Sequence, residues 1–129
     1  MKNKGLFTGE WSSDTHTVRI SLPLIFFLED NANIVFCPAL DISAAGLNEQ
    51  DALQAFRESI SEYLLYTTRK GTLAKDLAAY GWKVKKSRTR KMTPPDMSYL
   101  LQHNDEFNRV FNTCNYRKEN HTLELPAIA

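Results

Sequence analysis

Cysteine is scarce in this chain: its 129 residues include two, Cys37 and Cys114. They have no close spacing, so no disulfide framework is expected, and Cys37 reads as a small buried hydrophobe. Long apolar runs are missing as well. The longest, Leu22 to Leu28, is interrupted by Pro23 and falls far short of the roughly 20 residues a membrane helix needs. No charged leader followed by an apolar core opens the chain. A soluble cytoplasmic protein without a membrane partner is the expectation. The five glycines form no phosphate-cradling loop. His16, His103 and His121 are scattered, none at metal-ligand spacing from another or from a cysteine. Ser43 lacks the flanking glycines of a nucleophile elbow. Repeats and low-complexity tracts are absent. No catalytic residue, metal or cofactor is expected on these grounds.

What is present suits one core: 43% of the residues are hydrophobic, enough at this length to bury a single core with little room for a second. From Thr15 to Leu28 a strand is predicted, with Val18, Ile20 and Leu22 alternating with Thr17, Arg19 and Ser21 before the apolar run through Phe27. Glu29 to Asn33 reads as a polar hairpin turn. Ile34, Val35 and Phe36 continue as a second strand ending near Cys37, because Pro38 removes a ladder donor. After a turn over Ile42 to Gly46, Asn48 occupies a helix N-cap position, and Glu49 and Asp51 place negative charge in the first turn. Ala52, Leu53, Phe56, Ile60, Tyr63, Leu64 and Thr67 then recur at steps of three and four, predicting a helix to about Lys70 with Gly71 beyond its end.

Further along, Leu73, Leu77 and Tyr80 suggest a short helix stopped by Gly81, and Trp82 and Val84 begin an extended segment. Pro94 and Pro95 suit a helix start, and Tyr99 to Phe111 supply an apolar face through about Asn112. The tail alternates Leu123 and Leu125 with Thr122 and Glu124, which predicts a short strand closed by Pro126. Met1 to Asp14 has no sustained period and reads as a frayed N-terminal arm or a first edge strand. The fold class is therefore α+β: a small antiparallel sheet of three to four strands with one long helix packed on a face, a C-terminal helix and a terminal strand.

A net charge of +1 conceals a division: residues 29 to 62 hold seven carboxylates against one basic residue, and residues 63 to 92 hold nine basic residues against one acid. Within the basic half, Lys83, Lys85, Lys86, Arg88, Arg90 and Lys91 make six of nine consecutive residues.

The succession of an apolar strand, Cys37-Pro38-Ala39-Leu40-Asp41-Ile42-Ser43, a glycine, a polar cap and the amphipathic run Asp51 to Tyr66 resembles the N-terminal domain of HicB-type antitoxins. Pro38, Leu40, Gly46, Ala52 and Phe56 match that family's positions, whereas Asp41 and Ile42 replace its Pro-Gly pair and Ser43 stands where cysteine is common. The resemblance divides the chain into an arm (1–14), a HicB-like domain (15–82) and a C-terminal extension (83–129). It implies a worn-down ribonuclease H-like fold and the role of an antitoxin in a type II toxin-antitoxin pair. Such a protein binds and blocks a small basic RNA-cleaving, HicA-like toxin without catalysis of its own. On that reading Glu29, Asp30, Asp51, Glu58 and Glu62 form an acidic surface that meets the partner.

Two other classes stand beside it. The basic segment 83–91 could neutralise phosphates of a DNA operator and make the protein a transcriptional regulator. Its lysines equally suit a solvated edge strand. The chain could also be an orphan HicB-fold module that binds something else. An enzymatic site would need clustered carboxylates, for which Asp41, Glu58 and Glu62 are the candidates, set against a plainly solvated acidic helix face. Exposed sheet edges suggest a homodimer or higher oligomer.

Overall fold

The structure, a computed structural model, describes residues 17–84 and 92–126. The arm 1–14 and five of the six basic residues of the segment 83–91, from Lys85 to Lys91, lie outside the described residues. Strands β1 (Thr17–Glu29), β2 (Ala32–Cys37) and β3 (Ile42–Gly46) are followed by helices α1 (Glu49–Lys70) and α2 (Leu73–Ala79). Then come two short strands, β4 (Lys83–Val84) and β5 (Met92–Thr93), helices α3 (Met97–His103) and α4 (Asp105–Thr113), and β6 (Tyr116–Pro126). The main sheet is antiparallel in the order β3-β2-β1-β6, and β4 and β5 pair separately. The α+β arrangement expected from the sequence is the one observed.

β1 turns into β2 through Asp30 and Asn31, whose φ values of 52° and 64° are what a two-residue type I′ hairpin demands at both central positions. The register Ile25↔Phe36, Phe27↔Ile34 and Glu29↔Ala32 then sets one face of the sheet, and Leu24, Phe26 and Leu28 belong to the other. Two helical layers cover these faces. α1 packs over β3 and β2 with Ala52, Phe56, Ile60, Leu64 and Thr67 buried. α4 lies on the opposite face, where the rings of Phe107 and Phe36 sit 6.4 Å apart. The C-terminal half of β1 is therefore enclosed on both sides, which explains why Leu24, Ile25, Phe26 and Phe27 are all buried in an unbroken apolar run. Pro23 falls beyond the β2 ladder, where β6 alone flanks β1 and a missing N–H is tolerated as on an edge strand.

Three expectations are corrected. Ile42–Gly46 is a strand, paired with β2 from Cys37↔Ile42 to Asn33↔Gly46, not a turn; the turn is Pro38–Asp41, with Leu40 N donating to Cys37 O at 3.2 Å. The helix expected to run through Asn112 is two helices. Asn104 leaves helical geometry at φ −115° and ψ 103° and caps α4 by accepting from Phe107 N at 3.0 Å. Finally, the terminal strand starts at Tyr116 and pairs with β1 of its own chain along its whole length, from Phe27↔Tyr116 to Thr17↔Pro126.

The turn before β3 is held from a distance. Trp82 is buried and donates Nε1 to Ala39 O at 2.7 Å, and Asn104 Nδ2 donates to Pro38 O at 3.3 Å and Asp41 Oδ1 at 3.2 Å. Burial pushes the Cys37 thiol up to about 12, so it stays an uncharged packing group. Among the described residues no helix is long and apolar enough to cross a membrane.

Gly46 is where α1 comes closest to the sheet: a Cβ there would strike Ala52 N and stand 2.7 Å from the Asp51 carbonyl carbon. Because the obstacle is backbone, Gly46→Ala should lower the unfolding free energy by about 3 kcal/mol, the upper end for overpacking, measured by urea denaturation. Phe56→Ala should cost about 3–5 kcal/mol through the cavity it opens.

Candidate partner-binding surface

Local sequence sets the start of α1. Asn48, extended at φ −145°, accepts Asp51 N on its side chain at 2.8 Å, satisfying one of the free amides of the first turn. The far end closes at Gly71, whose φ of 70° is the left-handed geometry of a helix stop. With both ends fixed, the 3.6-residue period puts Asp51, Glu58 and Glu62 in one narrow sector opposite the buried stripe. All three are exposed. Glu58 accepts Gln54 Nε2 at 3.1 Å, and no ion pair engages any of the three among the described residues.

The hairpin acids differ. Asp30 is exposed at the tip. Glu29 is gripped by Arg109, with Nη1 to Oε2 at 2.7 Å and Nη2 to Oε1 at 3.0 Å, and the same guanidinium reaches Glu106 Oε2 at 2.6 Å. Glu29 therefore joins the hairpin to α4, leaving Asp30 as the free charge of the pair. A second clamp, not foreseen from the sequence, joins α1 to β6. Arg117 donates to both oxygens of Glu49 at 2.8 and 2.9 Å and to Glu119 at 3.0 Å. Its guanidinium carbon lies 4.6 Å from the Phe26 ring centroid, a cation–π distance. His121 Nε2 lies 3.1 Å from the other Glu119 oxygen.

These partners move the carboxyls in one direction. The Arg117 hydrogen bond holds Glu49 below the usual carboxylate range, Arg109 does the same to Glu106, and His121 followed by Arg117 lowers Glu119. Arg109 and Arg117 are raised in turn by their carboxylates and stay charged at any working pH.

At the opposite end of the sheet, a cavity of about 360 Å³ lies between the 38–41 turn and helices α2, α3 and α4, lined by Asp41, Tyr80, Tyr99, His103 and Asp105 among others. Its polar groups are largely occupied with one another. Tyr99 stacks on His103 at 4.0 Å, and Asp41 is held by Asn104. Nearby, Tyr63 donates its hydroxyl to Asp76 at 3.2 Å. Burial first, and Asp76 second, push the Tyr63 and Tyr80 phenols up, which keeps both as hydrogen-bond donors. Asp41 belongs to this end and does not join Glu58 and Glu62 in a metal-holding group; none is found among the described residues. Lys83, the one described residue of the basic segment's six cations, is exposed on β4, opposite Thr93.

Comparison with family models, with curated proteins and with solved structures finds no match.

The lowered carboxyls give a test with a definite sign. A carboxyl whose folded pKa is depressed contributes stability above its ordinary value of 4.5, and that contribution is lost as pH falls through the lower folded value. Arg117→Gln removes the partner of Glu49 and one partner of Glu119. The difference in Tm between wild type and this variant should thus be fully present above pH 4.5 and shrink as pH falls below it, followed by circular dichroism.

Proposed function

We propose that this chain is a HicB-like antitoxin: a non-catalytic cytoplasmic binding protein that occupies the RNA-binding surface of a small basic toxin ribonuclease. The observation that carries the reading is the stripe Asp51, Glu58 and Glu62, exposed along α1 and in no ion pair among the described residues. Asp30 at the hairpin tip adds to it. A fixed array of uncompensated carboxylates competes with a phosphate backbone for a basic surface and accelerates encounter by steering. Inhibition of this kind asks no chemistry of the inhibitor. It needs a rigid frame that holds its charges at fixed spacing, and the capped ends of α1 and its buried stripe supply one.

The test is co-expression of the tagged chain with the product of the reading frame next to its own, followed by RNA-cleavage assays of that product free and in complex. Cleavage when free and none when bound is the expected result; an inert or absent partner would remove the reading. Glu58→Lys with Glu62→Lys should slow association about tenfold at low salt and flatten its dependence on salt, leaving dissociation nearly unchanged. Binding of duplex DNA instead, with an affinity that falls steeply with salt, would favour a regulator acting through residues 83–91.

A further inference from the structure

The free end of the main sheet, at the β1–β2 hairpin, collects three of the four large hydrophobic side chains that are exposed among the described residues. Leu28 is 62% exposed at the end of β1, Leu47 is 89% exposed after β3, and Phe111 is 41% exposed near the end of α4. Tyr66, the fourth, lies far along α1 beneath Lys70, 5.8 Å from its ring centroid.

The sheet register sets the first two on either side of Asn33. Leu28 pairs with Asn33 and Asn33 with Gly46, one row across β1, β2 and β3, and Leu47 follows Gly46 directly. Asn33 then donates Nδ2 to Leu47 O at 3.1 Å, fixing the backbone from which Leu47 projects. Phe111, its ring centroid 5.8 Å from that of Tyr116, lies on the other face of the sheet, because Tyr116 pairs with Phe27. Beside Leu28 and Asn33 opens a cavity of about 320 Å³, walled also by Phe26, Glu49, Tyr116 and Arg117 among others.

Leu47 carries the most information. It stands one residue before the N-cap, where a hydrophobic side chain ordinarily staples onto the fourth residue of the helix, here Ala52. Ala52 is fully buried without it, and Leu47 is left in solvent. A leucine excused from its usual local contact, at the same end of the sheet as a second exposed leucine and an open cavity, marks a place where something else packs.

The charges around the patch select what that is. Glu49 and Arg117 neutralise each other, so Asp30 and Asp51 set the sign of the rim. A second copy of this chain docked on this patch about a two-fold axis would put the same two acids on both sides of the interface, a like-charge rim that works against association. A basic partner meets no such opposition. We infer that the hairpin end of the sheet is the docking surface for a basic protein, which inserts an apolar side chain between Leu28 and Leu47 while its lysines or arginines meet Asp30 and Asp51.

This inference rests on the antitoxin reading, and it divides the work within it: the stripe on α1 governs approach, and the apolar patch governs residence. Kinetics separate the two, since exposed charges act on association and a desolvated apolar centre acts on dissociation. The probe is the purified product of the adjacent reading frame, measured against wild type, Leu28→Ser with Leu47→Ser, and Glu58→Lys with Glu62→Lys. The leucine pair should raise the dissociation rate by about 30-fold or more and leave association within about threefold; the glutamate pair should do the reverse. Both leucines are exposed, so the Tm of that variant should stay within a few degrees of wild type, which separates lost docking from lost folding.

If wild type captures the partner and the leucine variant dissociates no faster, the docking surface is wrong and the antitoxin reading survives. If wild type binds no basic partner but is a dimer that the leucine substitutions convert to monomer, the patch belongs to a second copy and the inference is overturned. If neither binding nor dimerisation is found, the inference and the antitoxin reading fall together.

Discussion

Enclosure of the C-terminal half of β1 on both faces is the constraint from which the remaining structure follows. β2 and β6 take its two hydrogen-bonding edges, and α1 and α4 cover its two faces, so Leu24, Ile25, Phe26 and Phe27 are all buried. A strand so placed needs partners from nearly every part of the chain. The hairpin supplies one within a few residues, whereas α4 and β6 come from far along the chain and must be anchored. Trp82 and Asn104, both hydrogen-bonded to the 38–41 turn, are the anchors at one end of the sheet. The two arginine clamps, Arg109 on Glu29 and Arg117 on Glu49, are those at the other.

The clamps also sort the acids. An exposed ion pair adds little stability, but a two-pronged guanidinium contact orients its elements and removes a charge from the outward field. Glu29, Glu49, Glu106 and Glu119 are used in this way, within the molecule. Asp30, Asp51, Glu58 and Glu62 are in no ion pair among the described residues and face outward. The acidic character of residues 29 to 62 thus divides into a structural part and an outward-facing part, a division that no count of charges reveals.

The elements legible in the sequence were those specified locally. Asn48, the 3.6-residue stripe and Gly71 define α1 at both ends, and Asp30 and Asn31 between apolar runs define the hairpin. β3 escaped because Ile42 to Gly46 is made of small residues with a terminal glycine, a composition typical of turns; its extended form comes from β2 on one side and from α1 crossing at Gly46. The polar stretch of β6, Arg117 to Asn120, hid the strand's length, since an edge strand with few buried side chains shows little alternation. Asn104 interrupts an otherwise continuous apolar face, and its role as cap and anchor depends on a turn far away in sequence. The acidic stripe was readable from periodicity, but the pairing of Glu29 with Arg109 and the exposure of Leu28 and Leu47 were not, because each depends on which segments meet.

The pairing of β6 with β1 has a consequence for how the chain acquires its shape. The two strands stand at opposite ends of the described sequence, and their ladder is the most extensive in the sheet. During synthesis β1, β2, β3 and α1 leave the ribosome together, but one flank of β1 stays vacant until β6 emerges. Contacts between segments so remote slow folding, and an apolar strand waiting with an open edge is prone to pair with the wrong chain. The charged and polar residues Arg117 to Asn120 fit that interval, because a solvated arriving strand is less apt to aggregate before it reaches its place.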